Sequence, residues 1–192
     1  MPIKKLLLRI GAFCGLIGAL VFSIMWISAA YVDSNWVLGE QTLSELGGDR
    51  PGRDLFNSGV IIEALLSILF VFALRISFEN DKLGKLGTDV FFFAAISLLG
   101  VGIFPITTGI YHTIASYGFF GLALLALAIL IKPLHKSAIF GRLYSMLTLI
   151  AITISLVFVF LTSIPLAEAV AVICLLVWSS AVSIKMVTVK LT

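Results

Sequence analysis

Six apolar runs, each close to the length a helix needs to cross a bilayer, divide the chain and leave little freedom in what it folds into. They cover approximately residues 10–31, 55–74, 90–107, 111–131, 143–164 and 166–184. A hydrocarbon layer about 30 Å thick takes roughly 20 residues of helix. Lipid supplies no hydrogen bonds, so a spanning segment is a helix or part of a closed barrel, and runs this long without strict alternation reject the barrel. Composition agrees: 60% of the 192 residues are hydrophobic and 12% are charged, too few polar side chains to coat a soluble core. The expected fold is therefore all-α, a polytopic bundle of six transmembrane helices. It is read as one membrane domain over residues 1–192 with a single sizeable polar loop at 32–54.

Alternate connections differ in basic content. Lys4, Lys5 and Arg9 precede the first run, Arg75, Lys82 and Lys85 flank the second connection, Lys132, Lys136 and Arg142 flank the fourth, and Lys185 and Lys190 follow the last. Eleven of the thirteen basic residues thus fall on one side, and only Arg50 and Arg53 on the other. Basic residues stay cytoplasmic, so both termini are expected in the cytoplasm and the 32–54 loop outside, in a prokaryotic or archaeal plasma membrane. The first run imitates a secretory signal and ends in Ser28-Ala29-Ala30. At nearly 20 residues it exceeds the roughly 7–15 of a signal core, and it is expected to be retained.

Several function classes drop out. The net charge of +3 is scattered between apolar runs and forms no basic stripe, which argues against nucleic acid. Cys14 and Cys174 each sit in an apolar run as small hydrophobes, and neither a CxxC nor a His/Cys cluster suggests zinc or a disulfide framework. The loop acids lack calcium-loop spacing. His112 and His135 are expected on opposite faces, so they cannot share a haem. No metal and no cofactor is expected.

Three features carry chemistry. The outer loop holds Asp33, Glu40, Glu45, Asp49 and Asp54 with Arg50 and Arg53, half of all the acids in the chain. Two arginines suit bidentate capture of a phosphate or carboxylate, while a solvated lid of mutually paired charges is the plainer alternative. Within the loop, Thr42-Leu43-Ser44-Glu45-Leu46-Gly47-Gly48 suggests a short interfacial helix capped by Ser44 or Thr42 and ended by glycine. The second feature is the corner Gly102-Ile103-Phe104-Pro105 through Tyr111-His112, where proline frees a backbone carbonyl close to a histidine. The third is Glu63, about 12 Å into the second run at 1.5 Å per residue. A carboxyl at that depth has to face the bundle interior, with Ser67 on the same stripe. Glu168, near the outer start of the sixth run, is a further acid on that face.

Gly11, Gly15 and Gly18 in the first run, and Gly118 and Gly121 in the fourth, form small-residue stripes suited to close helix packing. Phe91-Phe92-Phe93, Trp26 and Trp36 read as interfacial anchors.

The run Leu43-Ser44-Glu45-Leu46-Gly47, the opening Leu55-Phe56-Asn57 and the corner Gly102-Ile103-Phe104-Pro105 with His112 resemble the domain of unknown function 998 family. That family comprises uncharacterised six-helix prokaryotic and archaeal membrane proteins, and is distantly similar to the Frag1/DRAM/Sfk1 group. The resemblance spans nearly the whole chain and implies a topology; it implies no reaction, and Glu63 lies outside its motifs.

The leading functional expectation is binding of an amphiphile, such as a lipid head group, in an outward-facing pocket built from Glu45, Arg50, Arg53, Asn57, Tyr111 and His112. A proton-coupled small-molecule carrier that uses Glu63 is the first alternative. An accessory subunit of a larger membrane complex, or a homo-oligomer docked through the glycine faces, is the second. An enzyme requires a nucleophile and a base, for which Ser44 or Thr108 beside His112 is the one available pairing. The orientation on which the outer pocket depends is directly testable: a cysteine at Glu40 is expected to react with an impermeant maleimide on intact cells, and one at Lys136 only after permeabilisation. The reverse pattern would place the loop in the cytosol.

Overall fold

The computed structural model describes residues 2–188, which form six α-helices: α1 Pro2–Val32, α2 Arg53–Ser77, α3 Lys82–Ile103, α4 Ile110–Lys136, α5 Gly141–Leu161 and α6 Ile164–Thr188. All six are long and apolar enough to cross a membrane, and no strand is formed among the described residues. The chain is a multi-pass membrane protein. Lys190, counted above with the basic end, lies outside the described residues.

Several helices outrun their apolar cores. Helix α1 begins at Pro2 rather than near residue 10, and α3 runs from Lys82 to Ile103 rather than over 90–107. Backbone hydrogen bonding continues into the polar rim, where lysine heads reach water while their stems cover the helix, and an apolar window misses those turns. Asp81 caps α3, its Oδ1 accepting from the amides of Leu83 and Gly84 at 2.9 Å each. The α5–α6 corner is as tight as its sequence suggests, with Pro165 in the first turn of α6, where a missing amide costs nothing.

Each helix packs on its successor and α6 returns to α1, so the six close into a ring. Small residues set the closest approaches. Gly11 faces Ala73 and Leu69 of α2, Gly15 faces Phe70 and Ser183, and Gly18 faces the Glu63 carboxyl. In α4 only half the expected stripe packs: Gly118 meets Ser97, while nothing lies near Gly121. Toward the basic end, Trp178 of α6 stands edge-on to Phe91 and Phe70, with ring centroids 5.6 and 6.5 Å away. Its Nε1 donates to Thr148 Oγ1 of α5 at 2.8 Å.

Two anchoring expectations change. Phe91 is buried against Trp178, because α3 begins at Lys82, eight residues before the expected start, and carries it inward; Phe93 alone of that trio is well exposed to lipid, at 59%. Trp36 is likewise buried, its Nε1 donating to the Thr42 carbonyl at 2.9 Å inside the loop.

That loop is a folded roof. Thr42 caps a 3-10 turn, Leu43–Gly47, through a reciprocal box: the Glu45 amide donates to Thr42 Oγ1 at 3.2 Å and the Thr42 amide to Glu45 Oε1 at 3.1 Å. Leu43 and Leu46 point inward at 2% and 0% exposure. Asp33, at the end of α1, accepts from Arg50 Nη1 at 2.9 Å, and this hydrogen bond holds its carboxyl below the ordinary aspartate range.

Two outcomes follow from this packing. Gly11→Ala inserts a methyl group against Leu69 O, 2.7 Å from the added carbon, and is expected to destabilise by about 1–3 kcal/mol. Gly121→Ala meets nothing and is expected to be neutral or to stabilise by about 0.5–1 kcal/mol; thermal unfolding in detergent separates the two, and equal losses would contradict the packing. For the roof, a depressed carboxyl contributes stability that is complete above its unfolded value, about 3.9, and is lost as pH falls through the lower folded value. Hydrogen-exchange protection of the Leu43–Gly47 amides, corrected for intrinsic rate, should hold from neutral pH to about 4 and fall below it, and Asp33→Asn should lower it throughout. Unchanged protection in that variant would show that the Arg50 bond does not hold the roof.

Candidate functional site

Beneath the roof a cavity lies between α1, α2, α3, α4 and α6, with Leu43 and Ser44 as its ceiling. Its walls are mostly apolar, with five phenylalanines, Phe22, Phe56, Phe91, Phe119 and Phe120. Polar groups enter at two levels. Ser44 and Glu168 stand at the ceiling, and Glu63, Ser67, Ser116 and Ser179 stand deeper. The free space is about 60 Å³, room for a few water-sized groups.

Glu63 reaches this cavity because α2 carries it on the inward stripe, at 7% exposure. Ser67, one turn on, donates to its Oε1 at 3.0 Å. The other oxygen, Oε2, is buried without a partner, and so is the hydroxyl of Ser116 across the cavity. Gly18 is what lets the carboxyl lie against α1, since any β-carbon there would collide with Oε2. A buried acceptor left unmatched costs about 1–3 kcal/mol. Two residues of the cavity lining, Glu63 and Ser116, thus each have a buried polar atom with unused hydrogen-bonding capacity, among aromatic rings.

The ceiling acid bonds to the roof through one oxygen. Glu168 Oε1 accepts from Ser44 Oγ at 2.7 Å and from the Ser44 amide at 3.3 Å. Asn57 Nδ2 donates to the Gly47 carbonyl at 3.0 Å, and Ser163 Oγ to the Gly39 carbonyl at 3.1 Å. Helices α2 and α6 and the α5–α6 corner thus all hold the roof down.

The expected site residues divide into four groups. Glu45, Arg50 and Asn57 come together in the roof, where Arg50 pairs with Asp33 and, at 3.5 Å, with Glu45. Arg53 is apart from them, facing Asp49 at 3.3 Å on the exposed surface. His112 is buried at the other corner, its Nδ1 2.7 Å from the Phe104 carbonyl, while Tyr111 is exposed and its ring lies 5.8 Å from that of Phe104. Glu63 is separate from all of these, under the roof. Ser44 Oγ donates to Glu168 and Thr108 Oγ1 to the Pro105 carbonyl at 2.8 Å, so neither hydroxyl is bonded to His112. No group of three or more His, Cys, Asp or Glu is placed to hold a metal ion among the described residues.

Sequence reasoning missed the Ser44–Glu168 bond and the roles of Asp33 and Ser116. Ser44 and Glu168 are 124 residues apart, and only ring closure joins them. The signal that was available was the presence of Glu168 at the same membrane face as the loop.

No match to this chain is found among curated proteins or among solved structures. A family model described as "Protein of unknown function (DUF998)" matches residues 16–185, which takes in α2 to α5, the roof, the cavity lining and the greater part of α1 and α6. The chain belongs to this DUF998 family.

Proposed function

We propose that this protein is a proton-coupled carrier of a small organic cation, with Glu63 as the group that proton and cation share. The observation that carries this reading is the buried, unpartnered Oε2 of Glu63, a residue that lines a cavity walled by phenylalanines. A charged carboxylate at this depth costs several kcal/mol unless it is matched. A proton matches it, and so does an alkylammonium, whose remaining surface suits aromatic faces. The two ligands compete for one carboxyl, which is the requirement for exchange. Glu63 lies about 15 Å from the Arg53 end of α2 and roughly 21 Å from the Ser77 end at 1.5 Å per residue, near mid-helix, where access alternates most readily between the two sides.

The amphiphile reading keeps part of its content in this form, since the ligand has an apolar body and one polar centre. Its location shifts inward from the outer rim, because Arg50 and Arg53 are each matched by carboxylates. The free space fits only a small ligand, so the roof has to lift, or the helices part, for exchange. With both termini cytoplasmic and the protein in the plasma membrane, the roof faces outward and the carrier exports cations against inward proton flow.

Radiolabelled tetramethylammonium, which does not cross lipid unaided, tests the proposal in proteoliposomes loaded at acid pH and diluted into neutral buffer. Wild-type protein should take up the cation as protons leave. Glu63→Gln should reduce uptake about 10-fold to 100-fold, in line with the roughly 1.5–3 kcal/mol of an interaction with a charged partner, while retaining wild-type helicity. Equal uptake by the variant, or no gradient-dependent uptake by the wild type, would refute it.

A further inference from the structure

A second concavity lies at the opposite end of the bundle from the roof. It is a groove of about 800 Å³ between α1 and α2, bounded at its rim by the start of α3, within the size range of small-molecule sites. Its floor is apolar, formed by residues such as Leu7, Leu69 and Phe72, which are 49%, 48% and 51% exposed. Its rim carries Lys4, Arg75 and Lys85 against one acid, Glu79.

The charge imbalance extends past the rim. Lys4, Lys5, Arg9, Arg75, Lys82 and Lys85 gather at this end with only Glu79, Asp81 and Asp89 to offset them. Asp81 is occupied in capping α3, and Asp89 accepts from Arg75. Glu79 pairs with Lys4. Lys85, half-buried at the mouth, is the rim cation that forms no ion pair among the described residues.

We infer that this groove binds an anionic phospholipid from the adjoining leaflet, its phosphate held at the rim by Lys85 and, in competition with Glu79, by Lys4, and one acyl chain lying on the floor. Any lipid covers an apolar floor. With Arg75 matched by Asp89 and Lys4 by Glu79, the unmatched rim charge is that of Lys85, and it selects the head group, since basic pockets between transmembrane helices bind acidic head groups through charge-assisted hydrogen bonds. The phosphate competes with Glu79 for Lys4, so Glu79 sets how strongly the groove holds its lipid. The site shares no residue with the central cavity and stands independently of the transport reading.

Native mass spectrometry of the purified protein, offered phosphatidylglycerol or phosphatidylcholine with identical chains, tests this. Retention of phosphatidylglycerol over phosphatidylcholine is expected. Lys85→Gln should weaken that retention about fivefold, one basic residue near an anionic surface contributing about this factor. Glu79→Gln should strengthen it, a gain that misfolding cannot produce, and Glu63→Gln should leave it unchanged. Equal retention of the two lipids, a preference indifferent to both rim substitutions, or a fall in both, would overturn the site.

Discussion

Hydrocarbon accepts no hydrogen bonds, and the rest of this structure depends on that constraint. Each backbone amide between the rims is satisfied within its own helix, which leaves side-chain packing to bring the helices together. Lipid tails are as apolar as leucine, so the contacts that hold the ring are close approaches at glycine and a few shared hydrogen bonds. Gly11, Gly15 and Gly18 let α1 lie against α2 and α6, and Trp178 joins α6 to α5 through Thr148 while its ring packs on α2 and α3. Closure of that ring creates an interior, and the interior gives a mid-membrane carboxyl somewhere to be.

The roof is the polar counterpart of the ring. Its backbone cannot enter lipid, so it folds on itself through the Thr42–Glu45 box and ties its loose ends to helix termini at Asp33, Asn57 and Glu168. Three of the charges that make this loop conspicuous, Asp33, Glu45 and Arg50, are thereby consumed in holding it together. Carboxylates and arginines clustered outside a membrane are as much the signature of a closure as of a binding site.

The fold was largely legible in the sequence, because six runs of one length and one physical cause admit few alternatives. Helix ends were less so: the turns before Ile10 and before Val90 are helical yet too charged to register as membrane. At the site, the inward orientation of Glu63 and its bond to Ser67 were legible, since both lie on one stripe of one helix. The partners of Arg50 and of Ser44 were not, because they depend on which distant segments meet at the rim. The same limit misplaced Phe91 and Trp36, whose surroundings are set by neighbouring elements and not by distance from a charged boundary.

Ring closure also has a consequence for biogenesis. One wall of the central cavity, bearing Ser179 and Glu168, belongs to the last helix of the chain. Until that helix leaves the ribosome and enters the bilayer, Glu63 has been delivered to mid-membrane with its enclosure incomplete and no finished interior to receive it. A proton is the match available to this acid while more than a hundred further residues are synthesised, and α6 then completes its enclosure.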